Sequence, residues 1–237
     1  MLPTCERILP CRWNFLSTTL LCLLLFSFLA LPAFAEENPE RIRLTSSQRA
    51  QIHSGDVHVE LQQGDINRGV VIGIIQAPVA DVAPLVGNCW EYDQWRETLI
   101  DTSLERRVSD EIVICGGTAV VPWPARNRSG HFRVHNRHES VGGINSFVSS
   151  FNYIEGSGNM EQMYGYWIIH PYGPNGEHTI LKHVLNVDIG GFLPSALVRW
   201  ATRASLPDTV FGIRKVLTER NGSNLSGPQF WRTHTYD

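Results

Sequence analysis

The chain has 237 residues, 43% hydrophobic and 18% charged, with 20 basic residues against 23 acidic. A chain of this length and apolar content buries most of its unfolded surface, which excludes a disordered or fibrous protein. A net charge of −3 disfavours a general nucleic-acid binder, whose surface would be basic.

Residues 1–35 read as a secretory signal peptide. Arg7 and Arg12 precede a charge-free run from Trp13 to Ala35, and Ala33-Phe34-Ala35 stands directly before Glu36. A basic start, an apolar middle and a small-x-small close are what signal peptidase recognises. Cleavage near Ala35 removes Arg7, Arg12 and Glu6, leaving 18 basic and 22 acidic residues in a mature chain of one-domain size. Such a protein is exported, periplasmic or secreted. The other reading of this segment is an uncleaved anchor, since about 17 largely apolar residues just span a bilayer. The leader also takes Cys5, Cys11 and Cys22 with it, so the mature chain keeps Cys89 and Cys115. In an oxidising compartment this pair can close one disulfide around a loop of roughly 25 residues, worth about 3 kcal/mol. Two separate buried thiols are the alternative, and the spacing is not that of a zinc site.

In the mature chain, residues 36–56 read as an N-terminal linker followed by a short helix. Thr45-Ser46-Ser47-Gln48 has the form of a capping box opening that helix, which runs through about Ser54. Val57, Val59 and Leu61 then alternate with polar residues, Gly64-Asp65 turns the chain, and Gly69 to Ile75 is a β-branched run, predicting two paired strands. Pro78 opens a helix with Val79, Val82, Leu85 and Val86 at helical spacing, and Gly87-Asn88 ends it. A short helical turn covers Glu91 to Trp95. Six strands follow, at 97–107, 110–120, 128–139, 145–155, 163–171 and 178–188. Ser109-Asp110, Gly142-Gly143, Gly156 to Asn159 and Gly173 to Gly176 punctuate them as an antiparallel meander. Leu193, Leu197, Trp200, Ala204, Leu206, Val210, Ile213 and Leu217 form the apolar stripe of one long helix to about Arg220, in which Pro207 predicts a kink or restart. Residues 221–237 read as a flexible polar tail. The class is α+β, a curved antiparallel sheet and a long C-terminal helix with an internal cavity between them.

Several side chains are candidates for function. His131, Arg133, His135 and Arg137 share a strand face, a basic stripe suited to anionic headgroups or to plain solvation. His131 and His135 lie about 13 Å apart along the strand, too far to chelate one metal ion. His183 shares a face with Leu181, Leu185 and Val187, where it serves either as an anchor for a ligand hydroxyl or carboxylate or as a hydrogen-bonded core histidine. Phe147, Ser149, Phe151 and Tyr153 share another face, mixing rings with hydroxyls as a lipid pocket would. No Gly-x-Ser-x-Gly, no Cys/His signature and no phosphate-binding loop occurs, so no catalytic residue, metal or cofactor is expected.

Five segments carry a resemblance by their order and spacing. They are Val70 to Ile75 leading into Ala77-Pro78, Trp90 to Trp95, Val121-Pro122-Trp123-Pro124 followed by Arg126-Asn127-Arg128, Tyr166-Trp167-Ile168, and Asp188 to Pro194. Over about residues 57–220 the chain resembles the START-related lipid-transfer domains of the SRPBCC superfamily, which also includes polyketide cyclases and aromatases. It departs from the pattern at Asn127-Arg128, where START-like sequences commonly carry Arg-Asp, and so has one carboxylate fewer. The resemblance implies a helix-grip fold whose sheet wraps the long C-terminal helix around a cavity for a lipid or other hydrophobic small molecule. The expected ligand-binding residues are Phe147, Phe151, Tyr153, Trp167, His183, Leu197 and Trp200, with the long helix as a gate hinged at Pro207. The expected function is an exported carrier with transient membrane-surface contact. A cyclase- or aromatase-like enzyme using His183 or Tyr153 as acid or base, and an envelope interaction module working through the Arg/His stripe, are the other readings.

Overall fold

The computed structural model describes residues 38–62, 66–123, 125–188 and 195–221, with the side chains of the last stretch described over 203–220. Helix α1, Ser46–His53, opens on a reciprocal cap in which Gln48 N donates to Thr45 Oγ1 and Thr45 N donates to Gln48 Oε1. Strands β1 (His58–Gln62) and β2 (Asn67–Ile75) follow, then α2 (Val79–Gly87), with Pro78 one position outside it, and a 3-10 turn at Cys89–Gln94. Strands β3 (Leu99–Arg107), β4 (Ile112–Ala119), β5 (Arg128–Val141), β6 (Ile144–Tyr153), β7 (Gln162–Tyr172) and β8 (His178–Asp188) lead to helix α3, Ser195–Asn221.

All eight strands form one antiparallel sheet in the order β1-β2-β8-β7-β6-β5-β4-β3. The six strands β3 to β8 are a simple meander, and the β1–β2 pair is laid against its last member. The turn Gly142-Gly143 joins Val141 to its partner Ile144 with φ of +60° and +87°. A two-residue hairpin of this hand needs positive φ at both positions, hence two glycines.

The inner face of the sheet carries Val71, Ile75, Trp167, Ile169, Leu181 and Leu185, packed against α2, Trp95 and the α3 residues Leu206, Val210, Ile213 and Leu217. Three contacts hold α3 there. Val210 lies over Gly73, Gly212 lies against the Trp95 carbonyl, and the Arg214 guanidinium donates to Ile74 O at 3.0 and 2.8 Å and to Gly55 O at 2.7 Å. This is the expected helix-grip arrangement of curved sheet and C-terminal helix.

Two features differ from the sequence reading. Helix α3 runs unbroken through Pro207 instead of restarting there, and Ala204, expected on its buried stripe, is exposed. The polar segment before α1 also does more than link. Ile42 and Leu44, with Ile52 of α1, pack over Val70, Ile72, Ile74, Val148, Ile168 and Val184 on the outer face. Strands with apolar side chains on both faces need a cover on each. Among the described residues, no helix is long and apolar enough to cross a membrane.

Candidate ligand-binding cavity

Toward the β3–β4 end of the inner face the packing is incomplete. The β3–β4 register slips twice, between Ile100 and Ser103 and between Leu104 and Arg106, and Asp101 adopts a φ of 54°. Gly117 on β4, paired with Gly130 of β5, places no side chain there. Bulges and glycines of this kind bend a sheet edge and leave space beside it. The result is a cavity of ≈ 80 Å³ walled mainly by apolar groups, among them Leu99, Phe132, Val134, Phe151, Met163 and Trp167. Cys89 and Cys115 also line it. They are joined as a disulfide with Cα atoms 6.2 Å apart, which ties the 3-10 turn to β4.

The polar groups of the wall are few and deeply buried. The His183 ring lies flat on Trp167, centroids 3.9 Å apart at 5°, and tilts against Phe151 at 5.9 Å. Burial first, and then the charge of Arg96, hold its pKa well below the usual histidine value, so the imidazole is neutral at physiological pH. Arg96 is only 8% exposed, with its guanidinium 5.8 Å from the centre of the Tyr92 ring. Burial lowers its pKa, and Tyr92 and Asp208 act in the opposite sense. The Tyr92 hydroxyl donates to Val86 O at 2.5 Å. His183 Nδ1, Arg96 Nε and Ser149 Oγ have no hydrogen-bond partner among the described residues. Buried polar groups are satisfied in the large majority of cases, so three with unused capacity around one cavity mark it as a place where polar recognition can occur.

Of the residues expected to bind a ligand, Phe151, Trp167 and His183 line this cavity. Phe147 and Tyr153 do not. Phe147 packs against His138, centroids 5.4 Å apart, and in the core below α2, while Tyr153 packs on Phe132 at 5.8 Å and over Gly130. Residues four apart on a strand share a face yet stand about 13 Å apart, so a common face is not a common cavity. The side chains of Leu197 and Trp200 lie outside the described residues. Arg133, His135 and Arg137 of the stripe sit opposite this face. His135 lies 3.4 Å from Glu111, and Arg137 contacts Glu139 at 3.0 Å and Ser150 Oγ at 2.6 Å. Sequence reasoning missed Arg96, Tyr92 and the two methionines, Met160 and Met163. The available signal for Arg96 was a lone cation closing the aromatic run Trp90, Tyr92 and Trp95. Among the described residues, no group of three or more His, Cys, Asp or Glu is placed to hold a metal ion.

No family model matches the sequence, and no curated protein matches it. Solved structures do match. Human StAR-related lipid transfer protein 5 superposes with a TM-score of 0.59 at 12% identity, covering 86% of this chain and 96% of that one. A STAR-related lipid transfer protein fragment (25–204) from Xanthomonas axonopodis gives 0.54 at 16% identity, covering 70% and 94%. A START superfamily protein from Mycobacterium smegmatis gives 0.50 at 14% identity, covering 65% and 98%. The fold of this chain is that of the START-related lipid-transfer domains.

Proposed function

We propose that the protein is an exported domain that binds one lipid or other hydrophobic small molecule in this cavity and carries it between membranes. The observation that carries the reading is the cavity itself, an apolar wall with a few buried polar groups on the inner face of a START fold. Its chemistry is solvent exclusion. Burying ligand carbon gains roughly 25 cal/mol per Å² of apolar surface, while the polar groups fix orientation.

The magnitude of the cavity adds a condition. At ≈ 80 Å³ it is well short of the roughly 300–1,000 Å³ of small-molecule sites, so loading must part the walls. Met160 and Met163 are unbranched and yield readily, and α3, which closes over the inner face, is the element we assign to the gate. Export rests on the leader, with cleavage near Ala35. Trp123, 90% exposed and close in sequence to the exposed Arg126, supports transient contact with a membrane surface, where indole rings settle at the interface.

The test is native mass spectrometry of the protein purified without detergent from the exported fraction, with N-terminal sequencing and solvent extraction of whatever it releases. A chain beginning near Glu36 with a stoichiometric hydrophobic ligand is the expected result. A bare protein that also refuses a panel of lipids overturns the carrier reading, and an uncleaved cytosolic chain overturns export.

A further inference from the structure

We propose that the cavity selects amphiphiles with one anionic headgroup, a carboxylate or a phosphate, and that the Arg96 guanidinium receives it. This rests on the hydrophobic-ligand reading and names the ligand class. The described wall contains two arginines, Arg96 and Arg128, and no Asp or Glu. Arg128 is half-buried and donates through Nη1 to Arg126 O at 2.9 Å. Arg96 is more than nine-tenths buried, with Nε unpartnered among the described residues.

Charged and titratable groups approach Arg96 from three elements. Tyr92 comes from the 3-10 turn, His183 from β8 and Asp208 from α3. His183 is neutral, and the Tyr92 hydroxyl is already committed to Val86 O. Asp208 acts on Arg96 through its charge, accepts from Thr98 Oγ1 at 3.5 Å and is not part of the wall. A buried cation is costly unless it is paired and hydrogen-bonded. An anionic headgroup supplies both, and the guanidinium fork matches the paired oxygens of a carboxylate or phosphate. Ser149 Oγ, unpartnered on the same wall, offers a further donor. A neutral headgroup leaves the charge as it is, and a cationic one adds repulsion.

The experiment titrates the detergent-free protein at neutral pH with dodecanoate, dodecyl phosphate, dodecanol and dodecyltrimethylammonium, read by native mass spectrometry and calorimetry. One or both anions should bind roughly tenfold or more tightly than dodecanol, as a charge-assisted hydrogen bond implies. The tighter of the two says whether the source is a carboxylate or a phosphate lipid. Arg96→Gln should abolish that preference, so that the anions bind no more tightly than dodecanol, while Arg128→Gln should retain it. Arg96→Met, which replaces buried charge with apolar volume, repeats the test should the Gln variant not fold. Equal binding of dodecanol and the anions, tighter binding of the cation, or a preference that survives loss of Arg96 overturns the proposal alone. Refusal of all four amphiphiles overturns the ligand-binding reading with it.

Discussion

His170, on the outer face of β7, is 2% exposed and holds Nδ1 2.5 Å from Ser146 Oγ. Burial, and then the charge of Arg41, push its pKa from 6.5 down to about 4. The unfolded chain keeps the ordinary value, so below it the unfolded state binds a proton that the folded state refuses. Stability is therefore complete above about pH 6.5 and falls as pH drops toward 4. His183, depressed by burial and by Arg96, adds in the same direction. Melting temperature measured across this window should decline, and His170→Asn should decline less steeply; equal slopes would sink the assignment. At this scale the site was partly legible. The two-residue period of β6, β7 and β8 places Phe151, Trp167 and His183 on the inner face. It carries no information about position along the strand, so it groups Phe147 and Tyr153 with them. Arg96 has no period to betray it, because its burial is decided by where the 3-10 turn meets α3 and the β3–β4 end of the sheet.

Elements are fixed to one another at a few points, and each can be broken separately. A Cβ at Gly212 would collide with the Trp95 carbonyl oxygen. Gly212→Ala must push α3 off the 3-10 turn, at an expected cost of about 1–3 kcal/mol, visible as a lower denaturation midpoint. Arg214 is desolvated enough to bring its pKa down to about 10 yet remains charged at neutral pH, and its fork spans two backbone carbonyls. Arg214→Lys keeps the charge and loses the fork, which should remove about 1.5–3 kcal/mol; a midpoint unchanged from the parent would mean the ammonium reaches both carbonyls. Reduction of Cys89–Cys115, which closes a 26-residue separation, should cost about 3 kcal/mol on the loop-entropy account. Equal stability with and without reductant would place the constraint elsewhere. Local chemistry made most elements readable, since the capping box at Thr45, the glycine pair at 142 and 143 and the strand punctuation each act within a few residues. Continuity through Pro207 was not readable, because packing of Leu206 and Val210 into the core outweighs a local helix breaker.

At the scale of the molecule, the sheet is a partition with a different tenant on each side. Its edges are β1 and β3, and β3 carries Glu105, Arg106 and Arg107 exposed along a twice-slipped register, which discourages pairing with another chain. The centre has no such protection, since all of β8 except Asp188 is buried. The meander and the terminal helix could be inferred from strand spacing and a helical stripe. The outer cover could not, because only Ile42 and Leu44 interrupt an otherwise polar stretch before α1. That cover sets the true minimum of the domain. A chain shortened to begin at Val57, where the START-like span starts, would uncover Val70, Ile72, Ile168, Ile180 and Val184 together, a sticky face of the size that drives self-association. Such a chain should scatter light and precipitate at concentrations where a chain beginning at Glu36 stays clear.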